Sequence, residues 1–182
     1  MEKLLSETFY HNLKDVLNRD FEANHHKTTL EKVDWEAEAQ KVLTDLTVFF
    51  STINTTKLKN FEIDKIGVID LCWNEYGGDI EVDFMPDNNF DTAFDEGCIM
   101  NNSAIDNDKF FETYFNVDGE GSWAKIGDDY HQIISLYYHL INDIIGMVTQ
   151  QEEFKALPKK SPCHIGFAFF HDEERSKIFS VD

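Results

Sequence analysis

Between Ile66 and Asp108 the chain runs 43 residues without a lysine or arginine while carrying eleven carboxylates. They are Asp70, Glu75, Asp79, Glu81, Asp83, Asp87, Asp91, Asp95, Glu96, Asp106 and Asp108. Unbalanced charge of this density repels itself. Any element built from the stretch must therefore offer its carboxylates to water, to cations or to something basic. The local pattern has period two: Ile66–Trp73 is apolar and β-branched, and Ile80–Phe84 alternates. Gly77-Gly78 between them suits a two-residue hairpin turn. That turn pairs Tyr76 with Asp79, Trp73 with Val82 and Leu71 with Phe84, with Leu71, Trp73, Val82 and Phe84 on the core face. Asp70, Cys72, Asn74 and Tyr76 then lie outward beside Asp79, Glu81 and Asp83. A shift of one residue would bury the carboxylates instead.

The remaining elements follow from hydrophobic spacing. Leu5, Phe9, Leu13, Val16 and Leu17 recur at helical intervals, as do Trp35, Ala39, Val42, Leu46, Phe49 and Ile53. The polar stretch Asn24–Thr29 separates the two sets, and Thr28 with Glu31 has capping-box spacing. These features predict an antiparallel helical pair over residues 3–54, followed by a hairpin over 63–85. Residues 86–107 form a long polar, acidic connection with a short helix around 91–96. Helices over 108–156 come next. Asp129–Thr149 is the most apolar of them, with a polar stripe of Gln132, Ser135, His139, Asn142, Asp143 and Gly146. Cys163–Phe170 and Ser176–Val181 give a C-terminal hairpin over 163–181. The expected fold is α+β: one domain in which an antiparallel sheet of two β-hairpins packs against about four helices.

Composition narrows the function classes. A net charge of −19 disfavours nucleic-acid phosphates and anionic membrane surfaces. With 42% hydrophobic residues and sixteen phenylalanines, the chain can bury a core despite that charge. Cys72, Cys98 and Cys163 are too few for a disulfide framework, and an odd thiol suits a reducing compartment. Residues 1–20 lack the apolar core of a signal peptide, and no run is long enough to cross a membrane. The expected location is the cytoplasm.

Catalytic and metal motifs are missing from the sequence. Asp87, Asn89 and Asp91 match three calcium-loop positions, but Thr92 replaces the turn glycine and Cys98 the bidentate glutamate. No zinc-ligand spacing and no nucleophile elbow occurs, and no phosphate-binding glycine loop. Cys163 and His164 are adjacent on a predicted strand and point to opposite faces. Cys72 lies among carboxylates, which disfavour a thiolate. Neither cofactor nor metal nor catalytic residue is assigned, and the chain reads as a non-enzyme.

The surviving expectation is a binding protein for a basic protein partner. The contact residues expected are Asp70, Glu75, Tyr76, Asp79, Glu81, Asp83, Asp87, Asp91, Asp95 and Glu96. Trp123 is expected in the core, whereas Phe90 and Phe94 of the acidic loop are candidate aromatic anchors within a charged rim. In size, charge and want of motifs the chain resembles the small acidic immunity proteins of bacterial toxin systems. That resemblance implies inhibition of a basic toxin, for instance a nuclease. Two other classes fit the composition. One is a DNA mimic, which needs carboxylates along an extended ridge. The other is a small enzyme with a pocket between the long helix and the sheet.

Overall fold

The computed structural model describes residues 3–74, 77–93, 102–119, 121–169 and 175–182. Four helices open the chain: α1 (Glu7–Leu17), α2 (Asn24–Leu30), α3 (Trp35–Ser51) and α4 (Thr55–Lys59). Strands β1 (Ile66–Trp73), β2 (Ile80–Met85) and β3 (Asn102–Ile105) follow. The chain continues through α5 (Asp108–Phe110) into a π-helical turn at Phe111–Phe115. Then come α6 (Ser122–Ile126), a 3₁₀ turn at Gly127–Asp129, α7 (Tyr130–Thr149) and α8 (Glu152–Lys155). Strands β4 (Lys159–Phe169) and β5 (Ser176–Val181) close it. The fold is α+β.

The strands are ordered β3-β2-β1-β4-β5. β1–β2, β2–β3 and β4–β5 are antiparallel, but β1 and β4 run parallel. The sheet is therefore mixed, not antiparallel throughout. A parallel neighbour requires a crossover, and α5 to α8 supply it. Central strands of this kind are covered on both faces. All eight residues of β1 are buried accordingly.

Trp73 pairs with Ile80, Leu71 with Val82 and Ile69 with Phe84, two residues away from the register expected of a two-residue turn. The connection is longer than Gly77-Gly78: Asn74 N donates to Asp79 O at 2.7 Å and Gly78 N to Asn74 O at 2.8 Å. An even shift leaves each side chain on its face. Leu71, Trp73, Val82 and Phe84 thus still meet the helices. Phe49 of α3 stacks on Phe84, and Tyr137 of α7 meets Trp73 at 5.0 Å between ring centroids.

The opening helices depart from a simple pair. Asn24–Thr29 is itself helical, because α2 is held from a distance. Asp129 accepts from Glu22 N at 2.8 Å, Ala23 N at 3.0 Å and the His26 ring at 2.8 Å. Burial alone would raise the Asp129 carboxyl, but these donors outweigh it and hold the group below its ordinary value. α3 starts at Asp34, whose Oδ1 accepts from Ala37 N at 3.1 Å, and not at Thr28. α1 packs on α7. Its Ser6, Asn12 and Arg19 take up Asp143, His139 and Gln132 of the polar stripe. These three residues of the stripe seat α1 and its flanks, while Asn142 stays exposed.

The acidic connection is partly strand, since β3 lies within it. Its earlier part folds back on the sheet: an added Cβ on Gly67 would stand 2.2 Å from the Asp87 carbonyl oxygen. Val68, Met85 and Ala93 form a second buried cluster with Phe90 against it. The helix expected near 91–96 falls largely outside the described residues, as does the turn ahead of Arg175.

Tyr130 joins the sheet to the helical layer. Its buried hydroxyl accepts from Trp73 Nε1 at 3.2 Å and from Ser122 Oγ at 3.3 Å. Tyr130→Phe leaves both donors short of this acceptor and should cost about 1–2 kcal/mol. Urea unfolding followed by tryptophan fluorescence will measure it.

Candidate functional site

The carboxylates expected on one outward face separate into three groups. Asp70 and Asp83 are buried, at 0% and 2% exposure, and lie directly opposite one another in the β1–β2 register. The expectation that both face solvent is wrong. The loop at 86–93 and the Arg175 side chain lie on that side of the sheet. Between the two acids sits Cys72, whose thiol lies 3.1 Å from Asp70 Oδ2 and 3.7 Å from Asp83 Oδ2. Arg175 Nε donates to Asp70 Oδ2 at 2.9 Å. Burial still keeps the Asp70 carboxyl above its ordinary value, against the pull of the Cys72 hydrogen bond and the Arg175 charge. Gly166, the β4 neighbour of Asp70, makes the room. A Cβ there would meet Asp70 Oδ1 at 2.6 Å and the Phe90 ring at 3.1 Å.

The second group is at the far end of β2. Asp87 uses its carboxylate locally, with Oδ1 accepting from Asn89 N at 3.1 Å and Oδ2 from Thr92 Oγ1 at 3.0 Å. Those two bonds, the backbone one foremost, hold its carboxyl below the ordinary value. Asp91 is exposed beside it. The failed calcium loop is thus a self-capped turn. Among the described residues no three His, Cys, Asp or Glu side chains are placed to hold a metal.

The third group lies at the start of β2, where β3 pairing brings in two residues not among the expected contacts, Asp106 and Asp108. Asp79 is half-buried and its carboxyl is raised, first by burial, then by Asp106, with Asp108 adding to it. Ser103 Oγ donates to Asp79 Oδ2 at 3.3 Å. Asp106 and Asp108 are exposed. Among the described residues none of the three carboxylates forms a salt bridge. Glu81, half-buried, accepts from Asn74 Nδ2 at 2.8 Å. Six residues of β2 part this group from Asp87, about 20 Å at strand rise. Glu75, Tyr76, Asp95 and Glu96 lie outside the described residues, as do Phe94 and Cys98.

Trp123 lies in α6, whose start is tied to Gly119 beside Asp108. It is 41% exposed and not a core residue. α6 is positioned by Ser122 N donating to Gly119 O at 3.0 Å, and Gly119 packs against the Asp108 carboxylate. Lys125 pairs with Asp118 alongside. The sequence signal for this grouping was present: Asp106 and Asp108 belong to the acidic stretch, but only strand pairing shows that they meet Asp79.

No described helix is long and apolar enough to cross a membrane. Cys72 and Cys163 are buried, and burial pushes the Cys163 thiol up to about 11. No protein-family model, curated protein or solved structure matches the chain.

Two stability experiments follow. Arg175→Ala leaves the buried Asp70 carboxylate without its cation, at about 2–3 kcal/mol near neutral pH. Because the folded Asp70 carboxyl is raised, it gains its proton as pH falls and the penalty shrinks. Denaturant titrations at pH 7.5 and pH 5 will show the difference, and adding Asp70→Asn should recover most of the loss. For Asp79, a raised carboxyl means that ionisation costs stability at neutral pH and that the cost fades through the carboxylate range. Asp79→Asn should raise the thermal midpoint at pH 7 by about 1–2 °C, with no gain near pH 4.

Proposed function

We propose that this protein is an acidic binding protein that recognises a basic protein partner. In its most concrete form it is an immunity-type inhibitor that neutralises a bacterial toxin in the cytoplasm. The observation that carries the reading is the grouping of Asp79, Asp106 and Asp108, like charges gathered at one end of the sheet without a salt bridge among the described residues. The repulsion costs stability in the free protein and is relieved when a cationic surface arrives. Trp123 in α6, which starts near Asp108, has the size and exposure of an interface anchor. The group is compact and separated from Asp87 by the length of β2. That arrangement favours inhibition of a protein groove over imitation of a phosphate ridge.

The mechanism is electrostatic steering followed by occlusion. Long-range attraction speeds encounter, and the carboxylates then occupy cationic positions that the partner uses for its own substrate. Affinity capture on the full chain, with mass spectrometry, identifies the partner. Its association rate should fall at least about tenfold between low and high salt. The triple change Asp79→Lys, Asp106→Lys, Asp108→Lys should slow association by a similar factor while circular dichroism stays native. A rate indifferent to salt, or unaltered in the triple variant, overturns the reading.

A further inference from the structure

Between α3 and β3 runs a groove of about 350 Å³, lined by Asp45, Val48, Phe49 and Thr52 on one side and Ser103 and Ala104 on the other. The α3 residues fall at steps of three and four and form one stripe of the helix. Ser103 and Ala104 are consecutive in a strand, so their side chains leave on opposite faces. A groove bounded by both follows the edge of β3. Among the described strands β3 is outermost, with β2 on its inner side, so its outer row of backbone groups has no strand beside it. Val48 stands at this edge 59% exposed, a large aliphatic side chain left in water while Ala39, Val42 and Leu46 of the same helix are fully buried.

We propose that this groove takes an extended basic segment of the partner, which adds to β3 as a further strand. The segment seats an apolar side chain on Val48 and a lysine or arginine on the Asp79–Asp106–Asp108 group just beyond the end of β3. Strand addition supplies main-chain hydrogen bonds, and alternate side chains supply specificity. Charge selects the occupant. A second copy of a chain of net charge −19 would bring the same carboxylates face to face. Lys41 is already engaged, pairing with Asp45 at 3.1 Å and donating to the Asp106 carbonyl. Lys57 lines the groove from α4 and leaves one position of the segment open to a polar or acidic side chain. The inference rests on the reading of the partner as a basic protein.

The probe is an acetylated Lys-Val-Lys-Val-Lys-Val peptide added at millimolar concentration to the full chain. A second peptide with proline in place of the middle valine serves as control. Hydrogen–deuterium exchange over residues 102–105 should slow at least about tenfold with the first peptide and stay unaltered with the second. Val48→Ser, a change at an exposed helix position, should weaken the first peptide about tenfold. Three results overturn the proposal: no binding of the first peptide, binding without protection of 102–105, or undiminished binding to Val48→Ser. A dimer in sedimentation that protects 102–105 without peptide also overturns it, because the occupant is then a second copy. The basic-partner reading is judged separately by the salt dependence and the triple variant. It stands if only the groove fails, and if the captured partner ignores salt the groove proposal falls with it.

Discussion

β1 is covered on both faces along its whole length, and Asp70 stands near its middle. A carboxylate in that position must be met by donors or cations, because uncompensated burial of charge is among the costliest defects a core can hold. The surrounding structure answers this demand. Arg175, the residue before β5, reaches it at 2.9 Å, the Cys72 thiol lies within hydrogen-bonding reach, and Gly166 leaves space that Asp70 and Phe90 share. The order of the sheet follows the same logic. β4 must run beside β1 to bring Gly166 opposite Asp70, and β5 must follow β4 to deliver Arg175.

A second buried carboxylate organises the helical layer. Asp129 holds the chain ahead of α2 through two backbone donors and the His26 ring, while α7, which begins at the next residue, carries α1 on its polar stripe. α1, α2 and α3 are therefore fixed by distant parts of the chain more than by one another. That explains why a polar stretch such as Asn24–Thr29 is helical without an apolar stripe of its own. Local propensity is weak there, and tertiary tethers replace it.

Much of the fold could be read from spacing. The α7 boundaries, the buried stripe of α3 and the core-facing residues of β1 and β2 all come from periodicity, which burial enforces. What spacing could not supply was the other face of the sheet. Period two says that Asp70 and Asp83 share a side, but not that the side is covered. The clue lay in β1 itself, where Val68 and Cys72 flank Asp70 in a nearly continuous apolar run, the composition of a strand buried on both faces. The partners were out of local reach, Arg175 lying 105 residues from Asp70 and Glu22 107 from Asp129. The acidic site was half legible for the same reason. Its residues all belong to one stretch, yet only the pairing of β2 with β3 sets Asp79 beside Asp106.

These two uses of negative charge are physically opposed. Asp70 and Asp129 are enclosed and serve the fold, Asp129 compensated by three donors and Asp70 in part by Arg175 and Cys72. Asp79, Asp106 and Asp108 make local hydrogen bonds, Asp79 with Ser103 and Asp106 with Asp108 N, yet no salt bridge among the described residues; burial first and then their mutual repulsion keep the Asp79 carboxyl raised. If acidity served solubility alone, spreading the same charges would do so without self-repulsion. β3 is short and lies at the edge of the sheet, and the pairing that places it there also assembles the group. Among the described residues, a strand at the edge of the sheet, an exposed Val48 and carboxylates without a salt bridge then occur together. Each is a liability for an isolated protein, and one extended cationic segment would relieve all three at once.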